Sequence, residues 1–271
     1  MDGNHILNNK IAMAVPCCET LYKFIYSAIR HSCGPPWKTA GRKGENTGIM
    51  RYIFVDFEMN PVNRKYTEVR KICRNEIIEI GASMLDDNMN EISSFRIYVR
   101  PQYNDEIAPY CRELTGITMN RLFCADHFPE AFHKFSEWCR SEGEDFQIFA
   151  WSGSDLLQLR EQMNLYGIVM TDEVRYMTEN WKDFQEEYRQ IAGEEDFPSL
   201  DRALNMVGCS FTGTRHDALW DARNTADLFV LTRDLEDFQK KREIIREAME
   251  PKPLSCSLGS FFTAEKRKVF L

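Results

Sequence analysis

Four carboxylates and one histidine have the types and spacing that phosphodiester hydrolysis requires. Asp56 and Glu58 lie in YIFVDFE, Asp155 ends FAWSGSD, and His216 and Asp221 share RHDALWDA. Clustered carboxylates repel one another unless a cation or a shared proton offsets the charge. Oxygen ligands of this kind select Mg²⁺ or Mn²⁺, and an imidazole can accept a proton from water near neutral pH. The pattern predicts a magnesium-dependent hydrolytic site.

A strand end and two helix starts must position these residues. The apolar run 52–55 predicts a buried strand, and a period of two places Asp56 and Glu58 on one face of it. Asp155 begins a predicted helix that runs to residue 166, and Asp221 lies one turn into a long predicted helix.

The remaining pattern predicts a mixed sheet flanked by helices. Predicted strands cover residues 52–57, 77–85, 93–99 and 147–151, and predicted helices cover 106–114, 129–141, 155–166, 181–191, 199–207 and 217–249. A three-stranded meander, followed by strands and helices in alternation, is typical of an α/β fold with such a sheet.

The three motifs resemble those of the DEDDh division of the DnaQ-like exonucleases. Asp56 and Glu58 match the first motif, Asp155 matches the second, and His216 and Asp221 match the third, in the family's order. The resemblance implies a ribonuclease-H-like fold with a mixed five-stranded sheet, and removal of nucleotides from 3′ ends with two metal ions.

The resemblance runs from about residue 51 to about residue 235. Within it, VRPQYNDEIAPYCRELTGIT, FPSLDRALNMVG and HDALWDARNTADL are most similar to the enhanced-RNAi and sporulation-inhibitor (KapD-like) branch. Eukaryotic members of that branch act on RNA. The expected partners of this chain are the 3′ ends of single-stranded RNA or DNA.

The resemblance also implies a role for each residue. Asp56 would bridge two ions, Mg²⁺ or Mn²⁺, and Glu58 and Asp221 would complete the site of the attacking water. Asp155 would hold the second ion through water, and His216 would be the general base. Two ions about 4 Å apart stabilise both the entering hydroxide and the departing 3′ oxygen.

Substrate-binding residues are implied in two segments. Met59 and Asn60, just beyond the first motif, would contact the 3′ sugar. Leu114, Thr115 and Gly116 in LTGIT would form a wedge against the terminal nucleotide, because glycine permits a close backbone approach. The alternative for LTGIT is an ordinary helix C-cap.

Each motif also has a structural alternative. Asp155 could be a helix N-cap, Asp221 a surface carboxylate near a helix start, and His216 a structural histidine. Asp234 and Glu236 repeat the spacing of the first motif on a charged helical stretch, where we expect solvated surface. The combination of motifs is therefore more selective than any one of them.

Composition limits the partners. The chain has 34 basic and 42 acidic residues, a net charge of −8, which argues against a general nucleic-acid coating protein. Recognition of nucleic acid must therefore be local, at one end of a nucleic-acid strand. Nine cysteines without a paired framework, and no stretch of about 18 apolar residues, predict a cytoplasmic protein without a membrane span.

The predicted domains are a poorly structured N-terminal extension (1–49), an exonuclease domain (50–236), and a helical extension with a C-terminal tail (237–271). Met50 precedes the first strand directly, so translation starting there is one hypothesis. Leu258, Phe261 and Phe262 have the spacing of a sliding-clamp-binding peptide, although Ser255 stands in place of the usual glutamine. The alternative is a tail that packs loosely or stays disordered.

Three function classes follow. The first is a metal-dependent 3′–5′ exonuclease that acts on RNA or single-stranded nucleic acid. The second is a DNA proofreading or repair exonuclease with the same catalytic residues. The third is a regulatory interaction protein on a nuclease scaffold, which the complete motif set disfavours because a scaffold does not need crowded charges.

Overall fold

The computed structural model describes residues 50–249, which form a five-stranded mixed sheet with helices packed against it. The predictions for residues 1–49 and for the tail peptide at Leu258, Phe261 and Phe262 lie outside the described residues. Within the described part, no helix is long and apolar enough to cross a membrane.

The described residues form five strands and ten helices. The strands are β1 (Arg51–Pro61), β2 (Asn75–Leu85), β3 (Glu91–Tyr98), β4 (Phe146–Ala150) and β5 (Trp181–Asp183). The helices are α1 (Val69–Ile72), α2 (Pro109–Thr115), α3 (Met119–Leu122), α4 (Phe128–Cys139), α5 (Gly153–Leu165), α6 (Asp172–Glu179), α7 (Phe184–Ala192), α8 (Leu200–Met206), α9 (Ala218–Thr232) and α10 (Leu235–Met249).

The sheet has the strand order β3-β2-β1-β4-β5, which confirms the predicted mixed five-stranded sheet. β1 is antiparallel to β2 and parallel to β4, and Val55 pairs with Ala150. Because parallel strands end at the same edge, the residues after Val55 lie beside the start of α5. This register brings the first and second motifs together.

Alternating residues of β1 are buried in two separate cores. Ile53 and Val55 pack in a cluster with α4, α5 and α6, whereas Phe54 packs with α7, α8 and α9. A strand whose successive side chains are both buried carries helices on both faces of its sheet. Burial on both faces of the sheet explains the continuous apolar run that predicted this strand.

Two predicted elements are wrong in type or length. Residues 181–183 form β5 rather than the start of a helix, because buried Trp181 pairs with Ile148 and so short a strand shows no period. The predicted helix 217–249 is two helices. Its second part starts anew where the side chain of Asp234 accepts the N–H of Asp237. Buried Phe238 of α10 then packs against the α7 side of the core.

A glycine on β2 sets how closely α9 approaches the sheet. Gly81 pairs with Asp56 across the strands. A Cβ built at Gly81 would lie 2.1 Å from the backbone N of Leu219 and 2.6 Å from the carbonyl oxygen of Ala218. The start of α9 therefore rests directly on the β2 backbone, beside the first motif.

We predict that Gly81→Ala lowers the free energy of unfolding by at least about 2 kcal/mol, because the added methyl group must push α9 off the sheet. Urea denaturation measures the change. Gly167→Ala is the control, since nothing lies within 4 Å of its added Cβ and only its positive φ of 62° adds cost, about 1 kcal/mol. Equal losses in the two variants would contradict the close-approach explanation.

Candidate active site

Three carboxylates from two elements converge beside the end of β1. Ligand oxygens of Asp56, Glu58 and Asp221 all lie within 4.8 Å of one another, and all three residues are partly buried. Asp56 and Glu58 share one face of β1, and Asp221 reaches them from the first turn of α9, which Gly81 allows to approach. The first and third motifs thus meet beside the end of β1.

Burial and mutual repulsion dominate the electrostatics of this group. Burial raises the pKa of Asp56 well above its ordinary value, and the neighbouring charges of Asp155 and Asp221 raise it further. Burial raises the pKa of Glu58 to about 8, with added repulsion from Asp221 and Glu79. The site therefore retains protons near neutrality unless a cation replaces them.

Asp155 lies in the first turn of α5 and is 5% exposed. It is not one of the three carboxylates within 4.8 Å, yet its charge is the largest electrostatic influence on Asp56. Burial raises the pKa of Asp155 to about 7, while the backbone N–H of Phe57 acts in the opposite direction. The N-cap of α5 is Ser152, which accepts the N–H of Ser154, so the N-cap alternative for Asp155 is wrong.

One carboxylate oxygen of Asp221 accepts no hydrogen bond from residues 50–249. Burial raises its pKa to about 7, and the backbone N–H groups of His216 and Asp217 partly offset that rise. Its Oδ2 atom is buried and has no hydrogen-bond partner among residues 50–249. A buried carboxylate oxygen without a donor, beside two further carboxylates, fits a divalent cation with oxygen ligands.

His216 is not a member of the three-carboxylate group. It precedes α9 with a φ of 58°, a left-handed conformation, and its side chain is exposed. Its imidazole makes no hydrogen bond or ion pair with any residue in the part of the chain that the structure describes. The ring is thus free to meet a water or substrate, and the structural alternative for His216 has no contact to support it.

Three further residues, which the motifs did not indicate, hold the site together. Glu79 of β2 pairs with Glu58 and is 1% exposed. The Arg96 guanidinium donates to Glu79 Oε1 at 2.7 Å and to Asp217 Oδ2 at 2.6 Å. Asp217 is the N-cap of α9 and accepts the N–H of Trp220. Arg96 therefore ties β3 and β2 to the start of the helix that carries Asp221.

Sequence contains a signal for part of this set. Glu79 is a charged residue inside the apolar run 77–85, and a charge in a buried strand is rarely tolerated without a partner. Arg96 and Asp217 have no such signal, since single charged residues on an edge strand and before a helix are ordinary.

Neither of the two predicted sugar contacts has a fully exposed side chain. Met59 is partly buried and packs against the core. Asn60 is 1% exposed, and its amide accepts the N–H of Ala108 at 2.8 Å and donates to the Glu106 carbonyl at 3.3 Å. Both ends of this amide are used within the protein, so Asn60 fixes the chain that leads into α2.

The predicted wedge follows α2. Leu114 is 52% exposed, while the hydroxyl of Thr115 donates to the Cys111 carbonyl and accepts the N–H of Ile117. Gly116 is the C-cap of α2 with a φ of 68°, and nothing lies within 4 Å of a Cβ built on it. The C-cap alternative therefore explains Gly116, and open space remains above it.

The sequence of this chain matches a family of known proteins. The sequence profile of the exonuclease family matches residues 53–229. ERI1 exoribonuclease 2 of Danio rerio is 29% identical over 190 residues, which is 64% of this chain and 33% of that protein. The Bacillus subtilis protein named "Probable 3′-5′ exonuclease KapD" is 26% identical over 192 residues, 70% of this chain and 87% of that protein.

Among solved structures, the nuclease domain of 3′hExo, a DEDDh family member, bound to rAMP, has a TM-score of 0.56 at 24% identity. The match covers 71% of this chain and 95% of that one. It shows that the fold is shared. The chain spans about a third of the length of the Danio rerio relative and most of the length of the Bacillus subtilis relative.

We predict that the metal-free protein loses stability as pH rises from about 5 to about 8. The folded pKa values of Glu58 (about 8), Asp155 (about 7) and Asp221 (about 7) lie above their ordinary values, so the folded state binds more protons than the unfolded state. Their contribution is full below about pH 4 and is lost through the folded pKa values. Urea denaturation in a chelator measures this.

Mg²⁺ should restore most of the stability lost at pH 8, because it replaces the protons, and it should do little at pH 5. Asp56→Asn removes one of the repelling charges, so this variant should lose less stability with rising pH. A metal-free protein that becomes more stable from pH 5 to pH 8 would contradict the raised pKa values.

Proposed function

The chain belongs to the exonuclease family, and from that premise we propose that it is a metal-dependent 3′–5′ exonuclease acting on RNA or single-stranded nucleic acid. One observation carries the proposal: the carboxylates of Asp56, Glu58 and Asp221 meet within 4.8 Å, with buried Asp155 beside them. Folding must bring these charges together against their repulsion, which a catalytic use of the charge explains.

The residues present fit divalent cations. The donors are carboxylate oxygens without a histidine or cysteine in the group, which favours Mg²⁺ or Mn²⁺ over zinc. Asp56, Glu58 and Asp221 would hold one such ion, and Asp155 together with Asp56 would hold a second. When bound, such ions supply a nucleophilic hydroxide and neutralise the charge that develops on the scissile phosphate.

The chain's own residues have separate tasks in hydrolysis. Asp56 and Glu58 orient the 3′ end of the nucleic acid. They do so from a rigid sheet, because β1 pairs with a β-strand on each side. Exposed His216 accepts the proton of the attacking water, since its ring has no competing partner among the described residues. The exposed side chain of Leu114 and the open space above Gly116 receive the terminal nucleotide.

Substrate class and cellular location are further parts of the proposal. The Danio rerio relative is named an exoribonuclease, which supports RNA as the substrate. Five cysteines of the described part are free thiols, which fits the reducing cytoplasm.

We predict that Asp56→Asn lowers the rate of nucleotide release at least about a thousandfold, because the carboxylate shared between both ions is lost. The assay follows 5′-labelled single-stranded RNA and DNA with Mg²⁺. Asp234→Asn is the matched control, as it lies in the second Asp-x-Glu pair, and asparagine keeps its capping bond to Asp237.

Shortening from the 3′ end by the wild type and Asp234→Asn, but not by Asp56→Asn, is expected. The ratio of the rates on RNA and DNA distinguishes an exoribonuclease from a DNA repair enzyme. Equal background rates for wild type and Asp56→Asn would leave only the scaffold class.

We predict that His216→Asn lowers kcat by about a hundredfold or more and leaves KM nearly unchanged, because the ring acts on the water rather than on the strand. Asparagine tolerates the left-handed backbone at this position, so folding is preserved. Steady-state kinetics measure both constants. A rise in KM at constant kcat would show that His216 binds substrate instead.

A further inference from the structure

Two arginines beside the site are stacked on aromatic rings. The guanidinium of Arg121 lies 5.1 Å from the ring centre of Tyr98, and it donates to the Tyr98 hydroxyl at 3.1 Å. The guanidinium of Arg100 lies 4.9 Å from the ring centre of Phe123, and it donates to the Phe123 carbonyl at 3.1 Å. Each arginine is thus held in place and still has donors to spare, because a guanidinium has five N–H groups.

Neither arginine is neutralised. Within residues 50–249, no carboxylate lies at ion-pair distance from Arg100 or Arg121. Neighbouring Arg96 differs, since it is bound to two carboxylates. In a chain with a net charge of −8, two fixed and uncompensated cations on one surface favour a polyanionic ligand.

This surface is connected to the active site. Arg96, which holds Asp217 at the start of α9, also donates to the Tyr98 hydroxyl at 3.0 Å. Tyr98 pairs with Glu79 across the strands and packs against the core beneath α2 and α3. The Arg121–Tyr98 pair is therefore joined through Arg96 to the start of α9, and the Arg100–Phe123 pair lies two residues farther along both chain segments.

Arg100 and Phe123 also border a cavity. Its volume is about 330 Å³, and its lining includes Arg100, Asn120, Phe123 and His127. Phe123 is 64% exposed. The one carboxylate in the lining, Asp105, is bound by Lys65 at 3.0 Å and so adds little repulsion. An exposed ring beside amide and guanidinium donors suits a stacked base next to a phosphate.

We propose that these two pairs, Arg121–Tyr98 and Arg100–Phe123, form a track that binds the strand 5′ of its terminal nucleotide. This inference rests on the proposed function and names its substrate as single-stranded. Stacking on Phe123 needs a base free of its partner, because a paired base within a duplex does not present its face. Arg121 and Arg100 bind successive phosphates, and the strand end enters the carboxylate site.

The experiment compares a strand with a substrate too short to reach the track. The short substrate is the p-nitrophenyl ester of a nucleoside 5′-monophosphate, and the strand is a single-stranded RNA oligonucleotide. Arg100→Ala, Arg121→Ala and Phe123→Ala should each raise the KM of the strand roughly tenfold. Turnover of the short ester should not change. Each arginine variant should also lower the salt dependence of strand binding by about one phosphate contact.

Arg160→Ala is the matched control, because Arg160 is an exposed arginine on α5 that also has no carboxylate partner among the described residues. It should leave the strand's KM unchanged. Equal losses on strand and ester, or no loss on either in all three track variants, would overturn the track. A wild-type protein inactive on both substrates would instead overturn the proposed function.

Discussion

Repulsion among carboxylates at one point of the sheet is the constraint on which the rest of this structure depends. Asp56, Glu58 and Asp221 meet within 4.8 Å, and Asp155 acts on them from a buried position. Such a group costs folding free energy until protons or cations neutralise it. The fold holds the carboxylates rigidly in place. A divalent cation that neutralised their repulsion would therefore bind there with high affinity.

Several features away from the carboxylates exist to impose this approach. Gly81 has no side chain where α9 touches β2, so Asp221 comes within reach of β1. Arg96 balances Glu79 and Asp217, two additional carboxylates that would otherwise add to the repulsion. Asn60 fixes the chain before α2, the helix that ends at the proposed wedge. The support for the carboxylates thus comes from residues of β1, β2 and β3.

The site was largely predictable because its residues lie in short motifs whose spacing reflects local geometry, as with Asp56 and Glu58 on one strand face. The mixed sheet was predictable from the apolar runs. The rest depends on long-range contacts: β5 (Trp181–Asp183) exists only through its pairing with β4, and the Arg96 bridge joins β3 to a helix start far along the chain. No local period indicates either feature. The helix C-cap at Gly116 was a stated alternative, and its left-handed backbone shows why glycine occurs there.

The central claim is that the carboxylate group exists to hold two divalent cations, and anomalous diffraction from crystals soaked in Mn²⁺ tests it most directly. Two peaks are expected, both touching Asp56, with one also at Glu58 and Asp221 and the other on the side of Asp155. Crystals in which Mn²⁺ binds only elsewhere, or in which these carboxylates carry no peak at saturating Mn²⁺ and pH 8, would contradict it.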